Sequence, residues 1–253
     1  MKQIVFFLFL LFFSGSVTAQ SKDTLSSNEQ NLVRIFGVLF KTGIKEAVKS
    51  QRTDGNSKTI IGNAAKEVVK ITARRSAEQL IKDGINGKNI LQLPGMITQN
   101  KEALIQKGKG LLLQNFEEAI KEAARNALKN AVWKLVEESL EFDVEDLVRA
   151  ANNDSLVLTD IFKNLKRNRF IELSKPFTTN AFKLAKGYKK YRKLKRAYEK
   201  ITGSSLSFNS ETFLAEAITD SFFDEMKKQE QQIRLNPLNV LEGFLKNLFE
   251  KKN

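Results

Sequence analysis

"LLLQNFEEAIKEAARNALKNAVWKLVEESL", residues 111–140, contains neither proline nor glycine and shows no alternation of polar and apolar residues. Phe116, Ile120, Ala123, Ala127, Ala131, Leu135 and Val136 recur mainly at three- and four-residue spacing. On a helix of about 3.6 residues per turn that spacing gathers them on one side. A helix of this length with one apolar stripe needs other elements to cover it.

The same period extends in both directions. Ser26 and Glu29 stand at capping-box spacing before a helix that reaches about residue 50, and "RTDGNSK" (52–58) is a polar turn. A helix from about Thr59 to Asp83 ends at Gly84, a glycine placed as a C-cap. "GINGKNILQLPG" (84–95) is a loop, a short helix lies near 97–107, and Asp143 caps another after the long one. Asn153 or Asp154 caps the next helical stretch, which reaches about Ile201 with Pro176 breaking or kinking it. "GSSLSFNS" (203–210) is a loop, and the last helices, about 211–234 and 237–250, flank Asn236-Pro237. The expectation is an all-α chain, a multi-helix antiparallel bundle of about seven to nine helices joined by short loops.

At the N-terminus Lys2 precedes the apolar run Ile4–Phe13 and then "SGSVTAQ". This is the pattern of a signal peptide cleaved after Ala19, and the run is too short for a spanning helix. The expected organisation is a signal peptide (1–19), a helical extension (20–59) and a helical domain (60–253). Such a chain is exported, periplasmic or secreted. Without cysteine it is not a lipoprotein and carries no disulfide, so its stability comes from a packed core.

A net charge of +13 favours anionic partners: an envelope polymer, a lipid headgroup or an acidic protein. Export removes the chain from most nucleic acid. The basic charge concentrates in "KGYKKYRKLKRAYEK" (186–200), which also holds every tyrosine of the chain. On a helix Leu184, Tyr188, Tyr191, Leu194, Tyr198 and Ile201 form one apolar stripe, which turns the aromatic rings inward. Lys186, Lys189, Lys190, Arg192, Lys193, Lys195 and Arg196 then spread over the flanks and outer side as a candidate basic surface. Two partners remain open for it, an external anion or the acidic run "EESLEFDVED" (137–146). "PLNVLEGFLKNLFEKKN" is a second amphipathic stretch, read as bundle packing in preference to membrane contact.

With no histidine and no cysteine, triad, Cys–His and zinc-ligand chemistry are excluded. "EFDVEDLVRAAN" lacks the spacing and glycine of a calcium loop, and "GINGKN" lacks the gap and hydroxyl of a phosphate loop. Glu117/Glu118 and Glu137/Glu138 are sequence neighbours whose carboxylates diverge on a helix, so both pairs read as exposed charge. Trp133, among apolar neighbours, reads as core. No catalytic, metal or cofactor residue emerges.

From about Gly62 to Phe249 the chain resembles a family of exported bacterial helical proteins, domain of unknown function 4197. The resemblance rests on "KDGINGKNILQLPG", "NFEEAIKEAARNA", "LEFDVEDLVRAANNDSLVLTDIFK", "LSKPF", "GYKKYRKLKRAY" and "DSFFDEMKKQEQQIRLNP", in that order. It implies an all-α fold, export and no assigned activity. The functional expectation is a non-enzymatic binding or scaffold domain of the bacterial envelope with a basic surface. Its alternatives are a peripheral binder of anionic membranes and, last, an enzyme with a carboxylate or Ser–Lys site.

Overall fold

The computed structural model describes residues 55–85, 93–143 and 157–235. Among the described residues there are α-helices and no strand: α1 (Gly55–Asp83), α2 (Gly95–Gln99), α3 (Lys101–Gln106), α4 (Gly110–Glu138), α5 (Leu158–Leu184), α6 (Gly187–Thr202) and α7 (Ser210–Leu235). The fold is an all-α helical bundle. Several expectations lie outside the described residues: the signal peptide, the helix capped at Ser26, the helix after Asp143, the cap at Asn153 or Asp154, and the amphipathic segment 237–250.

The bundle is organised around α4, against which α1, α5, α6 and α7 all pack. Every residue of its expected stripe is buried, from Phe116 to Val136, and the stripe is wider than expected. Ala119, Ala124, Leu128 and Val132 are buried as well, so two sides of the helix are covered. The alanines let neighbouring backbones come close, and the larger side chains fill the space between them. Trp133 departs from expectation: it is 43% exposed. Buried Val132 and Leu135 precede and follow it in sequence, but each step around a helix turns by about 100°, and position 133 falls on the outer side with Lys129 and Glu137.

Glycines end two helices where a left-handed residue is required. Gly84 (φ 74°) closes α1 by donating its N–H to the Leu80 carbonyl at 2.8 Å, and Gly203 (φ 69°) closes α6 onto Glu199 at 3.0 Å. At its other end α1 begins at Gly55, inside the stretch expected to be a turn.

α5 and α7 form the most extensive pairing. Phe162, Phe170, Phe222 and Phe223 are buried between them, with Phe170 and Phe223 stacked at 5.1 Å and Phe162 edge-on to both. An ion-pair seam runs along the rim. Lys227 meets Asp160 at 2.7 Å, Lys163 meets Asp220 at 3.1 Å, and Arg167 grips Asp220 with Nε at 2.9 Å and a terminal nitrogen at 2.7 Å. Burial pushes the Asp220 carboxyl up, but the hydrogen bonds from Arg167 and Lys163 outweigh it and hold the group below its ordinary value.

Pro176 does not end α5, which runs unbroken from Leu158 to Leu184. The proline is exposed, so the Glu172 carbonyl that loses its donor is on the side open to water. Two residues later the Thr178 hydroxyl ties α5 to the Glu211 carbonyl of α7 at 3.2 Å.

The start of α5 has no cap of its own. Val157 occupies the N-cap position without a side-chain hydrogen bond, and the first helical residues, Leu158 and Thr159, are buried. Their N–H groups donate instead to the Glu230 carboxylate of α7, at 2.9 and 2.7 Å, and the Thr159 hydroxyl adds a third bond at 2.6 Å. Arg234 completes the set with two nitrogens at 3.0 and 2.7 Å. Glu230 is 1% exposed, and these donors offset the cost of burying its carboxylate. We expect Glu230→Ala to lower stability by about 3 kcal/mol, because it strands buried donors as well as removing bonds. Lys227→Ala, which opens only a rim pair, should cost less than about 1 kcal/mol. Urea unfolding of both variants checks the contrast.

Candidate basic site

The basic helix α6 is oriented by a two-residue corner. α5 ends at Leu184; the N–H of the next residue, Ala185, donates to the Ala181 carbonyl at 3.0 Å, and Lys186 then adopts a left-handed conformation (φ 56°). A non-glycine residue there costs on the order of 1 kcal/mol. Glycine stands one position later for a different reason. Gly187 is buried, and a Cβ on it would overlap the ring of Phe182. The ring therefore seats on bare backbone, and this close approach sets the direction in which α6 leaves.

The inner side of α6 carries Leu194, Ala197 and Tyr198, all buried, with Tyr191 and Ile201 packed partly against the core. Each tyrosine hydroxyl has a partner. Tyr198 accepts from the Asn100 amide at 3.1 Å; Tyr191 donates to the Leu206 carbonyl at 2.9 Å and accepts from the Phe208 N–H at 3.1 Å; Tyr188 donates to Glu211. Two of the rings pack on other aromatics, Tyr191 on Phe116 at 5.7 Å and Tyr188 edge-on to Phe182 at 4.9 Å. Tyr188, expected on the inward stripe, is 37% exposed because it sits in the first turn of α6 beside the corner, with its ring held against Phe182. Tyr191 and Tyr198 offer no open platform for base stacking. Burial, then the bond to Glu211, raises the Tyr188 hydroxyl to about 12. Leu184 leaves the expected stripe and is 67% exposed, because the corner at Lys186 ends the helical spacing that linked it to Tyr188.

The cations of α6 divide by helical position. Lys186, Lys189, Lys190 and Lys193, related by three- and four-residue steps, line a groove of about 260 Å³ with Leu112 and Asn115 of α4. Arg192 and Arg196 are exposed outside that lining. Lys195 meets Glu199 at 3.7 Å, and among the described residues it is the only one of the candidate cations in an ion pair. Glu199 also accepts from the Ser205 hydroxyl and the Leu206 N–H, so the acid of this helix holds the following loop.

The groove lysines do not meet the acidic run where that run is described. Glu137 pairs with Lys134 at 2.8 Å, Glu138 with Lys166 and Arg169 at 3.7 and 3.4 Å, and the Glu141 carbonyl accepts from Lys166. Leu112 and Glu137 lie at opposite ends of α4, roughly 38 Å apart at about 1.5 Å per residue. The remainder of the run, 144–146, lies outside the described residues. Glu138 and Glu117 are half-buried, which corrects their reading as exposed charge: Glu138 is the hub of its pairs and Glu117 pairs with Lys101, whereas Glu118 is exposed and accepts from Gln114. Among the described residues no cluster of acidic side chains is arranged to hold a metal ion, and no helix is long and apolar enough to cross a membrane.

With the helix order and the corner in place, a family comparison applies to most of the chain. The model of the family described as "Protein of unknown function (DUF4197)" matches residues 55–250. The chain belongs to this family. No curated protein and no solved structure matches it. The DUF4197 match begins where α1 begins and includes the whole of the groove.

Within this DUF4197 domain the basic helix was legible by composition, but its partner wall was not. Leu112 and Asn115 precede Lys186 by about seventy residues, and only packing of α6 along the start of α4 brings them together. Two checks follow from the corner and its tyrosine. Gly187→Ala should cost about 2 kcal/mol in urea unfolding, whereas Lys186→Gly should leave stability unchanged or raise it by up to about 1 kcal/mol. Absorbance at the tyrosinate band should show one residue ionising near pH 12. Since the folded value is raised, that group's contribution to stability is complete below its unfolded value near 10 and is lost as pH rises through 12. Glu211→Gln should bring the upper titration down.

Proposed function

We propose that this domain is a non-enzymatic binding protein of the bacterial envelope whose ligand-facing surface is the lysine groove between α4 and α6. The observation that carries the reading is the set of four groove lysines without an ion pair among the described residues, in a lining that contains no acid. Lysines held this close on one helix repel each other, and an anionic ligand relieves that repulsion. Export is supported by the charged, apolar and small-residue pattern of residues 1–19. A non-enzymatic role is supported by a sequence without histidine or cysteine and by acidic pairs engaged in surface ion pairs.

Lysines act here as point charges, so the ligand is recognised by charge density more than by a fixed shape. Binding of soluble polyphosphate, measured by calorimetry, should weaken steeply between low and high salt. Lys189→Glu with Lys193→Glu should reduce the affinity at least about tenfold while leaving the urea midpoint nearly unchanged, since neither side chain has an internal ionic partner among the described residues. Affinity that is flat with salt and indifferent to the double substitution would overturn the proposal.

A further inference from the structure

The groove lysines do not stand alone at their end of the bundle. The α3–α4 corner, Lys107–Gly108–Lys109, adds two exposed lysines with no ion pair among the described residues. Large apolar side chains are exposed beside these charges. Leu111 is 69% exposed one turn before groove-lining Asn115, and Leu184 is 67% exposed just before groove-lining Lys186. Ile105, 51% exposed, lies against Gly110, where an added Cβ would meet it at 3.6 Å. Two helix corners that adjoin groove-lining residues in sequence thus carry exposed apolar tips.

We infer that the ligand of this surface is an anionic phospholipid bilayer, with the groove lysines on the headgroups and Leu111 and Leu184 inserted at the interface. The inference rests on the anion-binding reading of the groove and names its ligand class. Charge complementarity alone fits any polyanion. Exposed leucines at both corners gain nothing from a fully polar polymer, whereas a bilayer interface takes the apolar tip and the cation together. A second copy of the chain is a poor occupant, because a two-fold contact would set lysines against lysines. Of the nearby acids Glu117 is paired with Lys101, and the Glu211 carboxylate has only the neutral Tyr188 hydroxyl as a partner among the described residues, so it offsets part of a field to which six lysines contribute. With no spanning helix among the described residues, the contact these residues make is one of lying on the surface.

The protein as purified from the expressing cell is tested against three probes: vesicles of phosphatidylglycerol mixed with phosphatidylcholine, vesicles of phosphatidylcholine alone, and soluble polyphosphate. Salt-sensitive binding to the anionic vesicles is expected, with little to the neutral ones. Leu111→Ser with Leu184→Ser should weaken anionic-vesicle binding at least about tenfold and leave polyphosphate binding unchanged. Both leucines are mostly exposed, so helicity and the urea midpoint should stay as in the parent. Lys189→Glu with Lys193→Glu should weaken both anionic probes. If the leucine variant binds anionic vesicles like the parent while polyphosphate binding persists, the bilayer is overturned and the general anion site stands. If neither anionic probe binds the parent, both readings fall.

Discussion

The first turn of α5 is buried and has no capping side chain of its own, and a buried helix start cannot leave its N–H groups without acceptors. The carboxylate of Glu230, some seventy residues away on α7, supplies them. This one contact couples the position of α5 to that of α7, because the carboxylate reaches both N–H groups at hydrogen-bond distance in one register. The stacking of Phe170 on Phe223 and the rim pairs of Asp160 and Asp220 lie along the same seam and agree with that register. Burying a carboxylate is costly, and the five short bonds it accepts offset the cost.

From that anchored start α5 runs to Phe182, whose ring rests on Gly187 and directs α6 along the first part of α4. The lysines of α6 are thereby collected at one end of the central helix, while Glu137 and Glu138 pair at the other end with α4 and α5. The length of α4 separates the two charge sets well beyond a Debye length at physiological salt. Aromatic and basic residues of one sequence run thus largely part company, Tyr191 and Tyr198 going to a hydrogen-bonded core cluster and the lysines to an open groove, with Tyr188 exposed between them.

Much of this was legible because helices translate spacing into sides. The buried stripe of α4 and the inward Tyr191 and Tyr198 of α6 follow from three- and four-residue recurrence, and Gly84 from its position after the last periodic residue; Tyr188, expected on the same stripe, is exposed at its end. Trp133 and Leu184 were misread for two distinct reasons. Trp133 has apolar neighbours in sequence that are not its neighbours around the helix. Leu184 keeps the right spacing, but a left-handed residue two positions later ends the helix to which that spacing belongs. Pro176, the expected break, is tolerated on an exposed side, while the actual break falls at Ala185–Lys186, where no proline signals it.

By itself the sequence determined the class of the fold, the main apolar stripes, the placing of aromatic and basic residues on opposite sides of one helix, and the exclusion of histidine and thiol chemistry. These depend on residue type and on short-range spacing, which a helix converts directly into geometry. Tertiary structure alone decided that Glu230 caps α5, that Leu112 and Asn115 complete the lysine groove, and that the basic run stands apart from Glu137, Glu138 and Glu141. Those outcomes rest on contacts between residues some fifty to eighty positions apart. No local period encodes them; they are set by the register in which buried donors, rings and charges can all be satisfied together.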